Sequence, residues 1–211
     1  MIKANITLKE NVGEVERKIL RAMSRNINKV FAAKRAEIRD ITEELLSEEL
    51  VRSPEFERIT NGTLRFELGL IDAETKLINI IDELMANIDV DFKLARPAGS
   101  GFTGGLTIKA VRADYSDVLT MPEAITITEK GVDLHWLRWL LLEGGDIIVA
   151  GYDVLFGEGL GRTKGAIMIQ GGGWSIPPQD QGKAGDNFIT RAIERIQVPL
   201  REKVKECLIS A

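Results

Sequence analysis

Residues 14–54 read EVERKILRAMSRNINKVFAAKRAEIRDITEELLSEELVRSP, and this stretch decides the fold. Its apolar side chains recur mostly at steps of three and four residues, the repeat that places them on one face of an α-helix. No glycine or proline interrupts the stretch before Ser53-Pro54, and the residue before a proline is pushed out of helical geometry. The pattern predicts a long helical arm over residues 10–52, and a break near Phe31–Lys34 is left open.

The length of this arm has a consequence for its apolar face. A helix of about 35 to 40 residues at 1.5 Å per residue is roughly 55 Å long, which exceeds the diameter of a small domain. Part of the apolar stripe therefore projects past the core of the chain. We expect Val12, Ile19 and Ile27, which belong to this stripe, to contact a partner.

Short segments of strand and helix character follow the arm. Residues 64–69 fit either a strand or a short helix, and a helix starts at Asp72. Another helix is predicted over residues 132–143, between two strands. Strands bounded by glycine or proline are predicted at residues 90–94, 106–112, 124–128, 147–156 and 166–170.

A last helix starts near Asp186-Asn187, and Pro199 should kink it because proline lacks an N–H and its ring meets the carbonyl one turn back. The element order predicts an α+β fold with a long N-terminal helix, a central and mostly antiparallel β-sheet with packed helices, and a C-terminal helix. We expect a single domain over residues 1–211, divided into the arm (10–52), an α+β core (53–180) and a closing helix (184–208).

Composition and charge narrow the class of protein. Hydrophobic residues make up 44% of the 211 positions and charged residues 28%, which is typical of a folded, soluble chain. The net charge is −4, and lysine and arginine are interleaved with acidic residues nearly everywhere, without the basic stripe of groove-binding nucleic-acid proteins. A single cysteine, Cys207, excludes an intramolecular disulfide and fits a reducing cytoplasm. No apolar run is long enough to span a bilayer, and Met1–Asn5 does not begin a signal peptide.

The residues that side-chain catalysis needs are scarce. Nucleophilic catalysis by serine or cysteine requires a nearby base, and the only histidine is His135, at the start of an apolar helix. We therefore expect no enzyme activity, no cofactor and no metal. A carboxylate-only Mg²⁺ site stays open, with the pairs Asp89 and Asp91 or Asp180 and Asp186 as candidates.

Two glycine clusters, residues 99–105 and 157–165, do not match phosphate-binding loops. A P-loop leads from Gly-Lys-Ser/Thr into a helix, whereas the second cluster leads into the strand at residues 166–170. Both are predicted to be flexible loops between strands that become ordered when a neighbouring subunit binds. Arg162 and Lys164 in the second cluster, and Trp174 in the irregular loop 171–178, are further candidate partner contacts.

The order of short motifs resembles a known family. Residues 60–65 read TNGTLR, residues 137–144 read LRWLLLEG and residues 174–178 read WSIPP, with a terminal helix after them. This order is similar to that of the neck and tail-completion proteins of long-tailed bacteriophages, the group around minor tail protein Z. The positions that would match are Gly62, Leu64, Arg65, Trp139, Glu143, Gly144 and Pro177.

The resemblance implies a virion structural protein that joins head and tail as a component of a homo-oligomeric ring. Its partners would be other phage head-tail or tail proteins, DNA would pass through the lumen without specific binding, and no membrane would be involved. Its location would be the virion neck or tail, and the host cytoplasm during assembly. Two alternatives stay open: a metal-dependent carboxylate enzyme, such as a nuclease or cell-wall hydrolase, and a soluble adaptor that binds a helical partner through residues 10–50.

Overall fold

The computed structural model describes residues 11–112, 114–127 and 131–210. Glu10, the first residue of the predicted arm, and Thr128, the last of a predicted strand, lie outside them, as do both ends of the predicted domain. The α-helices are α1 (Val12–Val51), α2 (Pro54–Thr60), α3 (Leu64–Glu67), α4 (Ala73–Ala86), α5 (Ser116–Leu119), α6 (Trp136–Leu142) and α7 (Phe188–Ile209). The strands are β1 (Asp89–Ala98), β2 (Gly101–Lys109), β3 (Thr126–Ile127), β4 (Asp133–Leu134), β5 (Val149–Phe156) and β6 (Ala166–Trp174).

Helix α1 is continuous over 40 residues, so the break left open near Phe31–Lys34 is absent. The side chain of Asn11 caps its first turn by accepting a hydrogen bond from the Glu14 amide at 2.8 Å. The helix ends before Ser53, whose hydroxyl in turn caps α2 by accepting from the Phe56 amide at 3.1 Å. The serine–proline pair therefore ends one helix and starts the next.

The predicted α+β class is confirmed, with the long N-terminal helix, antiparallel strands and the C-terminal helix in place. Among the described residues the strands pair as three separate antiparallel hairpins, β1 with β2, β3 with β4 and β5 with β6. The β1–β2 hairpin packs along α1, and β6 packs against α3. Helices, rather than further strands, therefore provide the neighbours of each hairpin.

The main core surrounds α4 and α6. Leu77 and Ile80 of α4, Trp136 and Leu140 of α6 and Ile189 of α7 are almost fully buried in it. A smaller cluster joins α1, β1 and α7 through the side chains of Ile38, Val90, Val204 and Cys207. Helix α1 enters the main core only from Leu45 and Leu46 onward, so its first half lies outside this cluster.

The structure corrects several boundaries. Strand β2 begins at Gly101, so most of the glycine cluster at residues 99–105 is strand and not loop. Strand β6 continues to Trp174, so the loop predicted at 171–178 starts later. The helix predicted over 132–143 begins only at Trp136, because Asp133 and Leu134 pair with β3. The ambiguous residues 64–69 contain helix α3. Helix α7 begins at Phe188 with Asn187 as its N-cap, next to the predicted start near Asp186-Asn187, and runs through Pro199 to Ile209.

Candidate partner-binding surfaces

The charges of α1 are segregated along its length. Residues 12–35, which we call the basic segment, contain seven lysine or arginine side chains and two glutamates. Residues 36–51 contain six acidic side chains and one arginine. The sequence-based statement that opposite charges are interleaved nearly everywhere is therefore wrong for this helix.

One side of the basic segment packs on the β1–β2 hairpin. Leu20 and Ser24 are buried there. The side-chain amide of Asn28 donates to the Ala95 carbonyl at 3.1 Å, and its oxygen accepts from the Ala95 amide at 2.7 Å. The ring of Phe31 stacks on that of Phe92 at 5.4 Å between centroids. These contacts fix the direction in which α1 leaves the body.

The neighbouring side of the same segment is apolar and uncovered. Val12 is 82% exposed and Ile19 is 54% exposed, and Val15 and Met23 are exposed as well. Ile27, the third residue predicted for this surface, is only half-buried, since it lies closer to the hairpin side. We call Val12, Val15, Ile19 and Met23 the apolar stripe. Val12 and Ile19 are thus placed where a partner would reach them, and their role stays a prediction.

A second uncovered apolar surface lies on the β5–β6 hairpin. Leu155 pairs with Ile167 and Asp153 pairs with Ile169, so these four side chains share one face, which we call the outer face. Its three apolar side chains are each between 41% and 47% exposed. Sequence reasoning missed this surface. The available signal was that residues 154–156 and 166–169 are apolar at every position, whereas a strand with one solvated face normally alternates.

The loop between β5 and β6 is ordered by bonds within the chain. The amide of Gly159 donates to the Lys164 carbonyl at 2.9 Å, and Gly161 and Lys164 adopt positive φ angles of 60° and 58°. The guanidinium of Arg162 donates to the carbonyls of Gly69 and Ile127. The expectation that this loop becomes ordered only on binding a neighbour is therefore corrected. Arg162 therefore stabilises the fold of its own chain. Lys164 is exposed.

Trp174, the last predicted contact residue, lies in the core with 7% of its surface exposed. Its ring meets that of Trp139 edge to face at 6.3 Å. Its indole N–H donates to Oε2 of Glu67 at 2.8 Å. A partner could reach Trp174 only if this part of the core opened.

A cavity of about 320 Å³ lies beneath the inner face of the β5–β6 hairpin. Apolar side chains including Phe66, Val154 and Met168 line it, and Glu67 and Arg162 provide its charged groups. Burial raises the pKa of the Glu67 carboxyl, and the hydrogen bond from Trp174 opposes that rise. The volume is at the lower end of small-molecule sites, and the apolar walls would suit an apolar group.

Two ion pairs with buried carboxylates tie α2 to α7 and to the loop before it. Arg58 pairs with Asp180, and Arg191 pairs with Glu55 at 2.9 Å. Burial raises the pKa of the Asp180 carboxyl, although the Arg58 guanidinium acts in the opposite direction. One oxygen of Glu55 and one of Asp180 are buried without a hydrogen-bond partner. Because two arginines already neutralise these carboxylates, the cluster is well suited to hold the loop in place.

The acidic pairs considered for Mg²⁺ are engaged in ion pairs. Asp89 meets Arg35 at 2.9 Å and Asp91 meets Lys109 at 2.8 Å. Asp180 meets Arg58, and Asp186 meets Arg191 at 2.6 Å. Within residues 11–112, 114–127 and 131–210, no group of three or more His, Cys, Asp or Glu side chains could hold a metal ion. His135 is exposed at the N-cap of α6, where its side chain makes no capping hydrogen bond.

The positions that carry the phage resemblance include close backbone contacts. A Cβ atom at Gly62 would lie 2.8 Å from the Arg58 Cα and carbonyl oxygen. A Cβ at Gly144 would lie 2.6 Å from the Gly182 amide nitrogen. Arg65 lies over the Phe66 ring, 4.4 Å from its centroid, and donates to the Thr60 carbonyl. Gly62, Gly144 and Arg65 therefore each have a local structural role in this chain.

No protein-family model, curated protein or solved structure matches the chain. The described residues form an α+β protein with a long amphipathic helix and with exposed apolar side chains on that helix and on the β5–β6 hairpin. Among the described helices, none combines the length and apolar character that crossing a bilayer requires.

Proposed function

We propose that the chain is a structural subunit of a tailed-bacteriophage particle. It acts at the neck or in tail completion and joins head and tail through protein–protein contacts in a ring of identical copies. The order of the motifs at residues 60–65, 137–144 and 174–178 supports the phage assignment. Its neighbours in the particle would be other head-tail or tail proteins.

The ring is inferred from the distance between the apolar stripe of α1 and the outer face of the β5–β6 hairpin. Ile19 precedes Leu46, where α1 enters the main core, by 27 residues, which is roughly 40 Å along a helix axis. The outer face belongs to a hairpin whose inner residue Val154 packs on that core. Since α1 is continuous, the apolar stripe of one copy does not reach the outer face of the same copy.

Two different surfaces on identical chains lead to head-to-tail contacts, and such contacts generate a closed ring when the rotation per subunit is suitable. Residues 36–211 carry 29 acidic and 19 basic side chains, so the body of each subunit is acidic. An acidic lumen would let DNA slide through without specific binding.

Particle composition tests this proposal. Mass spectrometry of purified virions should detect the chain, and an electron cryomicroscopy map should place several copies in a ring at the neck or tail end. A phage with the gene deleted should accumulate filled heads and tails that do not join, and the wild-type gene supplied in trans should restore joining. Absence of the chain from purified virions would contradict the proposal.

The exposed apolar stripe also favours a second candidate, a soluble adaptor that binds a helical partner through α1. An adaptor would form a complex with one copy of another protein and would not form a homo-oligomer. The mass of the assembled species, measured by light scattering on the complex from infected cells, distinguishes the two.

A further inference from the structure

We propose that the apolar stripe of α1 in one copy docks on the outer face of the β5–β6 hairpin in a second copy of this chain. The contact deepens the proposed function, because it would be the head-to-tail interface of the ring. Only the closure of the ring within a particle rests on the proposed function. Self-association through these two surfaces is a property of the chain itself.

The two surfaces match in shape and chemistry. The stripe presents Val15, Ile19 and Met23 at helical spacing, and the outer face presents Leu155, Ile167 and Ile169 across two strands. A helix stripe packed on one face of a sheet is a standard way to bury both. Beyond Ile169, strand β6 continues as Gly171–Gly173, and the Asp153 carboxylate accepts hydrogen bonds from the Gly172 and Gly173 amides at 3.0 and 3.3 Å.

Charge identifies a second copy as the occupant. The basic segment has seven basic and two acidic side chains, whereas residues 36–211 have an excess of ten acidic ones. Among the described residues, Arg21, Arg25 and Lys29 make no salt bridge. The hairpin itself is neutral, because it carries Asp153 and Glu158 together with Arg162 and Lys164, so the acidic excess lies on the rest of the body. The opposite net charges of the basic segment and of the body favour the approach of one copy to the next.

Neither DNA nor the basic segment of a second copy would account for both the exposed apolar stripe and the basic charge around it. DNA would pair its phosphates with the basic segment, but it would leave the apolar stripe exposed and would meet an acidic body. Two basic segments packed on each other would bury the stripes but would place like charges together. A second copy accounts for both features, because it provides an exposed apolar face on a body with an excess of acidic side chains.

Sedimentation velocity of the purified full chain over a range of concentrations provides the first test. Ile19→Asp and Ile167→Asp each place a charge in the apolar contact, so each should weaken self-association by more than about tenfold. Val198→Asp, at an exposed apolar position on α7 outside both surfaces, is the control and should leave self-association unchanged. A wild-type chain that stays monomeric up to its solubility limit would overturn the proposal.

Mixing the two variants distinguishes head-to-tail contact from symmetric contact. Ile19→Asp retains an intact outer face and Ile167→Asp retains an intact stripe, so an equal mixture should form a dimer and nothing larger. If Ile167→Asp alone associates like the wild type, the stripes pair with each other and the proposal fails. A mixture that stays monomeric would overturn it as well.

Cysteine cross-linking keeps the test valid if a charged variant misfolds. The only native thiol is the buried Cys207, so the engineered cysteines are read in a Cys207→Ala background. The chain with both Ile19→Cys and Ile167→Cys, oxidised by glutathione disulfide, should give a ladder of covalent multimers. Neither single variant should do so. A covalent dimer from Ile19→Cys alone at the same yield would contradict the proposed geometry.

A labelled DNA duplex separates the remaining alternative. If Arg21→Gln with Arg25→Gln abolishes binding to the duplex and leaves self-association unchanged, the basic segment serves DNA and the proposal is overturned. Failure of the proposed function gives a different result. If the chain is absent from virions but the mixed variants still form a dimer, the interface proposed here stands and the phage assignment is contradicted.

Discussion

Asn187 and Asn11 are the same residue type at the same helical position, but their surroundings differ. Asn187 is fully buried, and its side chain bonds the Tyr115 hydroxyl at 2.8 Å, the Lys183 carbonyl at 3.0 Å and the Ile189 amide at 3.1 Å. Asn11 is exposed and caps a single amide. The buried residue therefore joins α5, α6 and α7, whereas the exposed one stabilises only a helix end.

Replacing each cap with alanine should separate these roles. Asn187→Ala leaves several buried polar groups without partners, so we expect the free energy of unfolding to fall by about 3 kcal/mol. Asn11→Ala should cost about 1 kcal/mol or less, as for an exposed N-cap. Urea unfolding followed by circular dichroism measures both, and equal losses would contradict the expectation.

The half-buried carboxyl of Glu67 makes stability depend on pH. Its pKa is raised in the folded chain by burial, so the folded state binds its proton more tightly than the unfolded state does. The free energy of unfolding should therefore decrease as the pH rises through the interval between the ordinary glutamate pKa, about 4.3, and the raised pKa. Glu67→Gln keeps an oxygen that can accept from Trp174 Nε1 and removes the ionisation.

The variant should accordingly be more stable than the wild type at neutral pH, and its advantage should shrink below about pH 4, where both states of the wild type are protonated. Urea titrations at several pH values give this comparison. A constant difference between the two proteins across the pH range would show that Glu67 ionisation does not contribute.

At the scale of elements, local signals predicted most of the helices. The end of α1 at Ser53-Pro54 and the start of α7 at Asn187 depend on neighbours within four residues, and both were predicted. Strand β2 was placed too late because glycine weakens a strand on its own, whereas pairing of Gly101 with Ala98 supplies the missing support.

The candidate surfaces also include features that local sequence predicts and features that depend on distant parts of the chain. The exposure of Val12 and Ile19 follows from helix length, which the sequence gives directly. Arg162 and Trp174 were assigned to partner contacts, but their bonds are to Gly69, Ile127 and Glu67, far away in the chain. The outer face was missed since a fully apolar strand is usually a buried one.

Helix α7 contains an internal proline at an exposed position. Pro199 has no N–H to donate to the carbonyl of Arg195, and its ring crowds that carbonyl. Pro199→Ala should therefore raise the free energy of unfolding by about 1–3 kcal/mol, measured by urea unfolding. Gln197→Ala, also exposed in α7, is the control and should change it by less than about 0.5 kcal/mol. An unchanged stability for Pro199→Ala would mean that the helix has fully adapted to the proline.

For the whole molecule, the basic segment and the acidic body make association sensitive to salt. Attraction between exposed charges is screened beyond roughly 10 Å at 0.1 M salt. We expect self-association to weaken as salt increases, as read from the sedimentation dissociation constant at several salt concentrations. The chain with Arg21→Gln and Arg25→Gln should associate more weakly at low salt and respond less to added salt. Association that is constant or stronger at high salt would point to an apolar contact without electrostatic steering.

Because α1 is long, a small tilt of the helix at its core end produces a large displacement of its first residues. Its 40 residues span about 60 Å at 1.5 Å per residue, so a tilt of about 10° at the core end displaces the tip by about 10 Å. Asn28 and Phe31, through their contacts with the β1–β2 hairpin, set that tilt. In the proposed ring, the angular step from one subunit to the next, and with it the bore of the ring, would depend on a few side chains outside the apolar stripe.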